Sequence, residues 1–233
     1  MAKWEWDKKL KRYRETDTGR IIGQRRMVKL RDVYNESVAD EVAELADKLG
    51  TGDLTVQQWT IAMRDRIKKT FSDQYVLARG GRNSMTQRDW GRVGRMVKDQ
   101  YHFLQGFARD VADGKMSVKQ VAARAKMYMD SSTQAFERGK ESSYGIPTLP
   151  EYPADGSQDC LSNCKCTWSI RETKTAWEAT WVLDAAAEHC DTCIDNAAKW
   201  APLVIEKSEA RNISEVKNIL DTKDNHHHGH AHK

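Results

Sequence analysis

Five cysteines and one histidine carry the clearest chemistry in this sequence, and they lie in two short segments, DCLSNCKCTW and HCDTC. The candidate ligands in these segments are Cys160, Cys164, Cys166, His189, Cys190 and Cys193. Thiolate and imidazole groups are the ligands that zinc prefers, and two of them a few residues apart can chelate one ion. The residue types and their spacing therefore predict a structural metal site.

Two runs rich in Thr, Trp, Val and Ile, CTWSIRET and WEATWVLD, separate the cysteine segments. Short runs of this composition divided by a few polar residues are typical of a β-hairpin. Because a hairpin returns the chain to its start, we expect the two segments to meet. The CxC and CxxC pairs would then supply four thiolates to one zinc ion. Cys160 or His189 could replace one of these four.

Disulfide formation and redox catalysis are the alternative uses of these thiols. A disulfide would require release into an oxidising medium, and five cysteines cannot all pair within one chain. A redox role for the Cys190–Cys193 motif is disfavoured because a thioredoxin-like CxxC belongs to a βαβ context, which this sequence lacks. The sequence also contains no GxSxG, HExxH, P-loop or glycine-rich dinucleotide motif. We therefore expect a protein that is not an enzyme.

Helical periodicity of apolar residues dominates the first two thirds of the chain. The spacing predicts four helices. The first covers 33–49, the second runs from a cap at Asp53 to Gly80, the third from Ser84 or Thr86 to Asp113, and the fourth from Ser117 to about Gly139. Three of the four prolines lie in IPTLPEYPADGS, directly after Gly145, which predicts an extended segment there. Helical composition resumes in AAAEHCDTCIDNAAKW, and a loop and a short final helix are expected after it.

These patterns predict an α+β, predominantly helical fold in three parts. Residues 1–145 would form an antiparallel helical bundle with a basic N-terminal segment, and residues 146–220 a cysteine-containing hairpin and helix module. Residues 221–233 would be a disordered His-rich tail. The tail histidines could bind a metal ion loosely or serve only as a solubilising end, and are His226, His227, His228, His230 and His232.

Charge is unevenly distributed along the chain, although the formal net charge is only +4. Residues 1–32 hold eleven Lys/Arg against five Asp/Glu, and residues 64–126 hold fifteen against six. Residues 184–225 reverse the sign, with five against nine. This asymmetry indicates either that the helical part meets nucleic acid or an acidic protein surface, or that it is simply a solvated helical face.

The sequence gives no sign of a membrane segment or a secretory leader. No stretch approaches the roughly 18 apolar residues of a membrane span, and the N-terminus MAKWEWDKKLKRYRE has no apolar run. We therefore expect synthesis in a reducing cytoplasm and no membrane association. In that compartment, closely spaced cysteines are more often metal ligands than disulfides.

Between about residues 75 and 205, the succession of motifs resembles the minor head (Mu F-like head morphogenesis) proteins of tailed bacteriophages. The resemblance rests on LARGGRNSMTQRDWGRVGRMVKDQYHFLQGFARDVADGKMS, AFERGK, YPADGSQDCLSNCKCTW and AEHCDTCIDNA, in this order. Its cysteine part, a DGS followed by C-x3-C-[RK]-C and then C-x2-C, is the most specific. The residues that match this pattern are Asp155, Gly156, Cys160, Cys164, Cys166, Cys190 and Cys193.

The resemblance implies a structural protein of the virion, present in few copies at the portal vertex or inner capsid. Its expected partners are the portal protein and other capsid proteins, with packaged DNA as a further partner through the basic helical surface. Its expected role is in head assembly or in genome packaging or ejection. The alternative reading is a zinc-stabilised protein that binds nucleic acid without sequence specificity in the host cytoplasm.

Overall fold

The structure is a computed structural model that describes residues 4–208, and it confirms the α+β, predominantly helical class. The helices are α1 Gln24–Thr51, α2 Val56–Ala78, α3 Gln87–Ala112, α4 Val118–Asp130, α5 Thr133–Tyr144 and α6 Asp191–Lys199. The strands are β1 Trp4–Asp7, β2 Arg12–Glu15, β3 Ile21–Ile22, β4 Thr167–Glu172, β5 Ala176–Val182 and β6 Leu203–Glu206. The predicted tail, residues 221–233, lies outside the described residues, as does most of the predicted final helix.

The basic N-terminal segment forms a small antiparallel sheet, β1-β2-β3, which the sequence analysis did not predict. Its strands are two to four residues long and rich in charge, so their period-two pattern is hard to recognise. The alternation is nevertheless present, because Trp6, Tyr13 and Ile22 are buried while most of their neighbours are not. Trp6 pairs with Tyr13 across the strands, and their rings make an edge-to-face contact.

The first helix is longer than its predicted range, 33–49, because its buried stripe begins earlier. Arg31 and Met27 are both buried and continue this stripe about two and three turns before Val38. The helix ends at Gly52, whose left-handed conformation (φ 83°) lets its N–H donate to Leu49. The cap of α2 is Thr55, in a capping box with Gln58, and not the predicted Asp53.

The predicted boundaries of α3 are confirmed, but the predicted fourth helix is two helices. Thr86 caps α3 and Ser117 caps α4, each through a capping box. The helical run from Ser117 breaks after Asp130, and α5 begins at Thr133. After this break, α5 packs against α2, whereas α4 packs mainly against α1.

Two buried cores organise the molecule. The first lies among α1 to α4 and includes the fully buried Trp59, Phe71 and Phe107. The second joins the N-terminal sheet, α5 and the segment from 146 to 200, and centres on the contacting rings of Trp168, Trp181 and Trp200. Its members lie on both sides of residue 145, so the cysteine-containing segment shares its core with the N-terminal sheet. Among residues 4–208, no helix is long and apolar enough to cross a membrane.

Gly139 marks the closest approach of α5 to α2, and this contact gives a first testable prediction. A Cβ at this position would lie 2.8 Å from the Tyr75 carbonyl oxygen and 2.9 Å from the Ala78 Cβ. We expect Gly139→Ala to lower the free energy of unfolding by about 1–3 kcal/mol, because backbone cannot yield to the added methyl group. Urea denaturation measures this change.

The matched control is Gly106→Ala in the interior of α3. A Cβ there would have no neighbour within 4 Å. Since alanine stabilises a helix interior relative to glycine, the control should raise stability by about 0.5–1 kcal/mol. Equal effects of the two substitutions would contradict the close packing of α5 on α2.

Candidate metal centre

The antiparallel pairing of β4 with β5 brings the two cysteine segments together, as the predicted hairpin requires. The register pairs Thr167 with Val182, so the residues before β4 and after β5 lie at the same end of the sheet. Cys166 directly precedes β4, and Cys190 is the N-cap residue of α6. The third strand of this sheet, β6, pairs with the other edge of β5 and was not predicted.

The five sulfur atoms converge around Cys193. Its Sγ lies 3.8 Å from that of Cys160 and 3.6 Å from that of Cys164. Ligands at about 2.3 Å from a tetrahedral zinc ion would lie roughly 3.8 Å from one another, so both distances match a shared metal. Two groups of sulfurs have all their members within 4.8 Å of each other: Cys160, Cys190 and Cys193, and Cys164, Cys166 and Cys193. The cluster could therefore hold a metal ion.

His189 lies beside Cys166 in the cluster. Its Nδ1 is 3.8 Å from the Cys166 Sγ, and its Nε2 is 2.7 Å from the carbonyl oxygen of Asp184. A carbonyl oxygen only accepts, so the Nε2 carries a proton, and the Nδ1 of a neutral ring would present its lone pair toward the sulfur. This is the arrangement in which a histidine binds a metal ion, its second nitrogen held by a hydrogen bond.

The thiols differ in their tendency to lose a proton. Burial, with the neighbouring thiol of Cys164, raises the pKa of Cys160 to about 12, and burial likewise raises the pKa of Cys193. The adjacent Cys166 thiol is the main cause of the raised pKa of Cys164, and burial adds to it. Burial also opposes ionisation of Cys190, but hydrogen bonds from the backbone of Cys193 and Cys160 outweigh it, so its pKa is lowered. A divalent cation would supply the positive charge that the other sulfurs need to ionise.

A buried ionic group connects the first cysteine segment to the helices. Arg31 donates to the carbonyl oxygens of Lys165 and Cys166, at 3.3 and 3.2 Å. The same guanidinium contacts the Glu137 carboxylate at 3.3 Å, and Lys140 lies 2.8 Å from the other oxygen of that carboxylate. Arg31 and Glu137 have no exposed side-chain surface, and Lys140 has 1%. The backbone beside Cys166 is thus held from α1 and α5.

Sequence reasoning missed this group, because it counted Arg31 with the surface charge of the N-terminal segment. One signal was available: Arg31 occupies the apolar face of α1, between the buried Met27 and Val38. Glu137 and Lys140 likewise fall among the buried residues of α5. Charged residues at helical spacing within an apolar stripe indicate a buried ion pair or a site.

Side chains also occupy the outer edge of β4. Glu137 accepts from the Trp168 N–H at 3.0 Å, and Lys140 donates to the Trp168 carbonyl oxygen. Gln24 accepts from the Ile170 N–H at 3.1 Å and donates to the Ile170 carbonyl oxygen at 2.6 Å. The strand that follows Cys166 is therefore fixed on both sides, by β5 and by side chains of α1 and α5.

Asp155 and Gly156, the DGS residues of the resemblance, shape the loop before Cys160. The Asp155 carboxylate accepts from the N–H groups of Tyr152 and Ser157, at 3.1 and 3.0 Å. Gly156 has a φ of 93°, a left-handed conformation that side chains rarely adopt. These two residues thus support the turn and are not among the sulfur groups.

The positive charge of residues 64–126 is divided between the interior and the surface. Arg79 and Arg92 form partly buried ion pairs with Asp89 and Glu141, at 3.2 and 2.9 Å. On α3, the exposed cations Arg88, Arg95 and Lys98 are seven and three residues apart, which places them near one helix face. The basic surface is therefore smaller than the sequence count indicates, and a stripe on α3 remains.

Comparison with protein-family models, with curated proteins and with solved structures finds no match to this chain. The resemblance to the minor head proteins therefore rests on the quoted motifs.

Proposed function

We propose that this protein is a structural minor head protein of a tailed bacteriophage, bound at the portal vertex or inner capsid, where it contributes to head assembly or to genome packaging or ejection. The observation that carries the proposal is the convergence of all five cysteines. Their order along the chain, C-x3-C-x-C followed by C-x2-C, is the most specific part of the family resemblance. A cluster of ligands at one end of a small sheet suits a structural role.

The proposed metal is zinc, and its role is to hold the segment from Cys160 to α6 in place. Thiolate and imidazole donors are soft or borderline ligands that favour zinc over oxygen-seeking ions such as Mg²⁺ or Ca²⁺. The spacing of the sulfurs, 3.6 and 3.8 Å, agrees with a tetrahedral site. The Asp184 carbonyl oxygen and Arg31 supply the outer contacts that orient a ligand and its backbone.

The exposed cations of α3 supply the proposed contact with an anionic partner. Arg88, Arg95 and Lys98 are exposed along this helix, and none of them has an ion pair among the described residues. An acidic surface of the portal would be attracted to this stripe, and so would the phosphates of packaged DNA.

The decisive experiment is co-expression with the portal protein encoded in the same genome, together with mass spectrometry of purified virions. We expect the chain to co-purify with the portal and to be present in virions in few copies. Reversing charge in Arg88→Glu/Arg95→Glu should reduce portal recovery at least tenfold, whereas Glu44→Lys, a charge change on the exposed face of α1, should not. Absence from virions together with no portal binding would overturn the proposal.

The alternative, zinc-stabilised binding of nucleic acid in the host cytoplasm, makes a different prediction. The affinity for duplex DNA would then fall steeply with salt, by about one power of the salt concentration for each phosphate contact. A steep dependence of the DNA affinity on salt concentration, without portal association, would favour this alternative.

One observation favours a thiol oxidoreductase as a second candidate. Cys190 is half-buried, lies at the start of α6 and has a lowered pKa, as the attacking thiol of a CxxC motif does. Against this role, its partner Cys193 lies within 4 Å of two further thiols, Cys160 and Cys164. Turnover of a disulfide substrate by metal-free protein would support this candidate, and its absence would exclude it.

A further inference from the structure

The cluster brings together more ligands than a single tetrahedral ion uses. Five thiols and the Nδ1 of His189 meet there, whereas one zinc ion takes four ligands. Among the described residues, the sulfurs form two groups of three, and Cys193 belongs to both. One ion would leave two donors without a function, whereas two groups with a common member are the pattern expected around two ions.

We infer that the cluster holds two zinc ions that share the thiolate of Cys193. Cys160 and Cys190 are the further ligands of the first ion, and Cys164 and Cys166 are those of the second, with the Nδ1 of His189 beside Cys166 as its fourth donor. This inference rests on the zinc site of the proposed function and extends it. The first ion obtains three ligands from the protein and the second obtains four, so all six donors are used.

The distances agree with two groups of ligands that meet at the Cys193 sulfur. This sulfur lies 3.8 Å from that of Cys160 in the first group and 3.6 Å from that of Cys164 in the second, close to the roughly 3.8 Å expected between ligands of one zinc ion. In the second group, the Cys166 sulfur also lies 3.8 Å from the His189 Nδ1.

Formal charge also favours two ions. One divalent ion bound by four thiolates leaves two negative charges, whereas two ions with five thiolates and a neutral imidazole leave one. Three of the five cysteines are buried, so the smaller residual charge costs less to remove from water. A metal-bound His189 would be neutral, because the Nδ1 would bind through its lone pair while the Nε2 keeps its proton toward the Asp184 carbonyl oxygen.

The test is the number of zinc ions per chain, measured by native mass spectrometry on the full-length protein after loading with Zn²⁺. We expect two ions. The same count is expected when all five tail histidines are replaced by alanine, which excludes their contribution. After loading with ¹¹³Cd²⁺, the wild-type protein should give two cadmium resonances split by coupling through the shared Cys193 sulfur, and this measurement needs no variant.

Substitutions separate the two ions. Cys166→Ser and Cys190→Ser should each retain one ion, whereas Cys193→Ser should lose tight binding of both. A single ion per chain, with Cys166→Ser and His189→Asn unchanged in metal content, would overturn the two-ion site and leave the proposed structural role intact. Absence of bound metal would overturn both the two-ion site and the proposed role of zinc in holding the segment from Cys160 to α6 in place. Portal association is measured separately and does not enter this result.

Discussion

Replacing Glu137 by glutamine is expected to lower the free energy of unfolding by about 3–5 kcal/mol, although the side chain keeps its size. The Glu137 carboxylate accepts from Thr167 and from the Trp168 N–H, and it contacts both Arg31 and Lys140. A glutamine would leave the buried Lys140 without a counterion, would leave Arg31 with only the adjacent Asp32 at 2.8 Å, and would turn an amide N–H₂ toward donors. Burial already lowers the pKa of Lys140, and Glu137 opposes this effect.

Urea denaturation of Glu137→Gln measures this loss, and Glu44→Gln is the matched control. Glu44 is an exposed residue of α1 whose partner, Lys48, is one turn away. Surface pairs of this kind contribute only about 0.3–0.5 kcal/mol, so the control should be nearly as stable as the wild type. A loss below about 1 kcal/mol in Glu137→Gln would show that the buried ionic group does not fix the cysteine segment.

Cys193→Ser should unfold the region around the cluster while the helical bundle persists. Cys193 is the sulfur common to both groups, so its loss removes the proposed metal altogether. With free zinc at about 1,000 times its dissociation constant, binding raises the free energy of unfolding of the wild type by about 4 kcal/mol. The variant would lack this stabilisation. Hydrogen exchange should increase in β4, β5 and α6 and remain slow in α2 and α3, which belong to the other core.

Asp195→Asn provides the matched control for this change, since Asp195 is exposed on α6 two residues beyond Cys193. It should bind zinc and exchange hydrogen like the wild type. Chelation of the wild-type protein should reproduce the Cys193→Ser pattern. Exchange that is equally slow with and without metal would mean that the core around Trp168 and Trp181 is sufficient to hold this region.

Local signals were enough to predict the ends of α3, the start of α4 and the convergence of the cysteines. Helices begin directly after Thr86 and Ser117 because their hydroxyl groups accept hydrogen bonds from free N–H groups of the first turn. The residue type and its position in the sequence are enough to predict this interaction. The hairpin was recognisable because its residues favour strands over six or seven positions. The meeting of the cysteine segments followed from that hairpin.

Features that depend on distant contacts could not be predicted in this way. The strands of the N-terminal sheet are too short to show a pattern, and their stability comes from packing on α5 and the Trp168 region. The break between Asp130 and Thr133 lies in a segment of helical composition, so only the packing of α5 against α2 reveals it. The burial of Arg31 depends on Glu137, more than a hundred residues later.

The side chains along the outer edge of β4 have a consequence for behaviour at high concentration. A strand at the border of a sheet offers free N–H and C=O groups to another chain and thereby invites aggregation. In β4, the N–H and C=O groups of Trp168 and Ile170 already form hydrogen bonds with the side chains of Glu137, Lys140 and Gln24. Copies crowded together are therefore prevented from joining through this strand into a continuous intermolecular sheet.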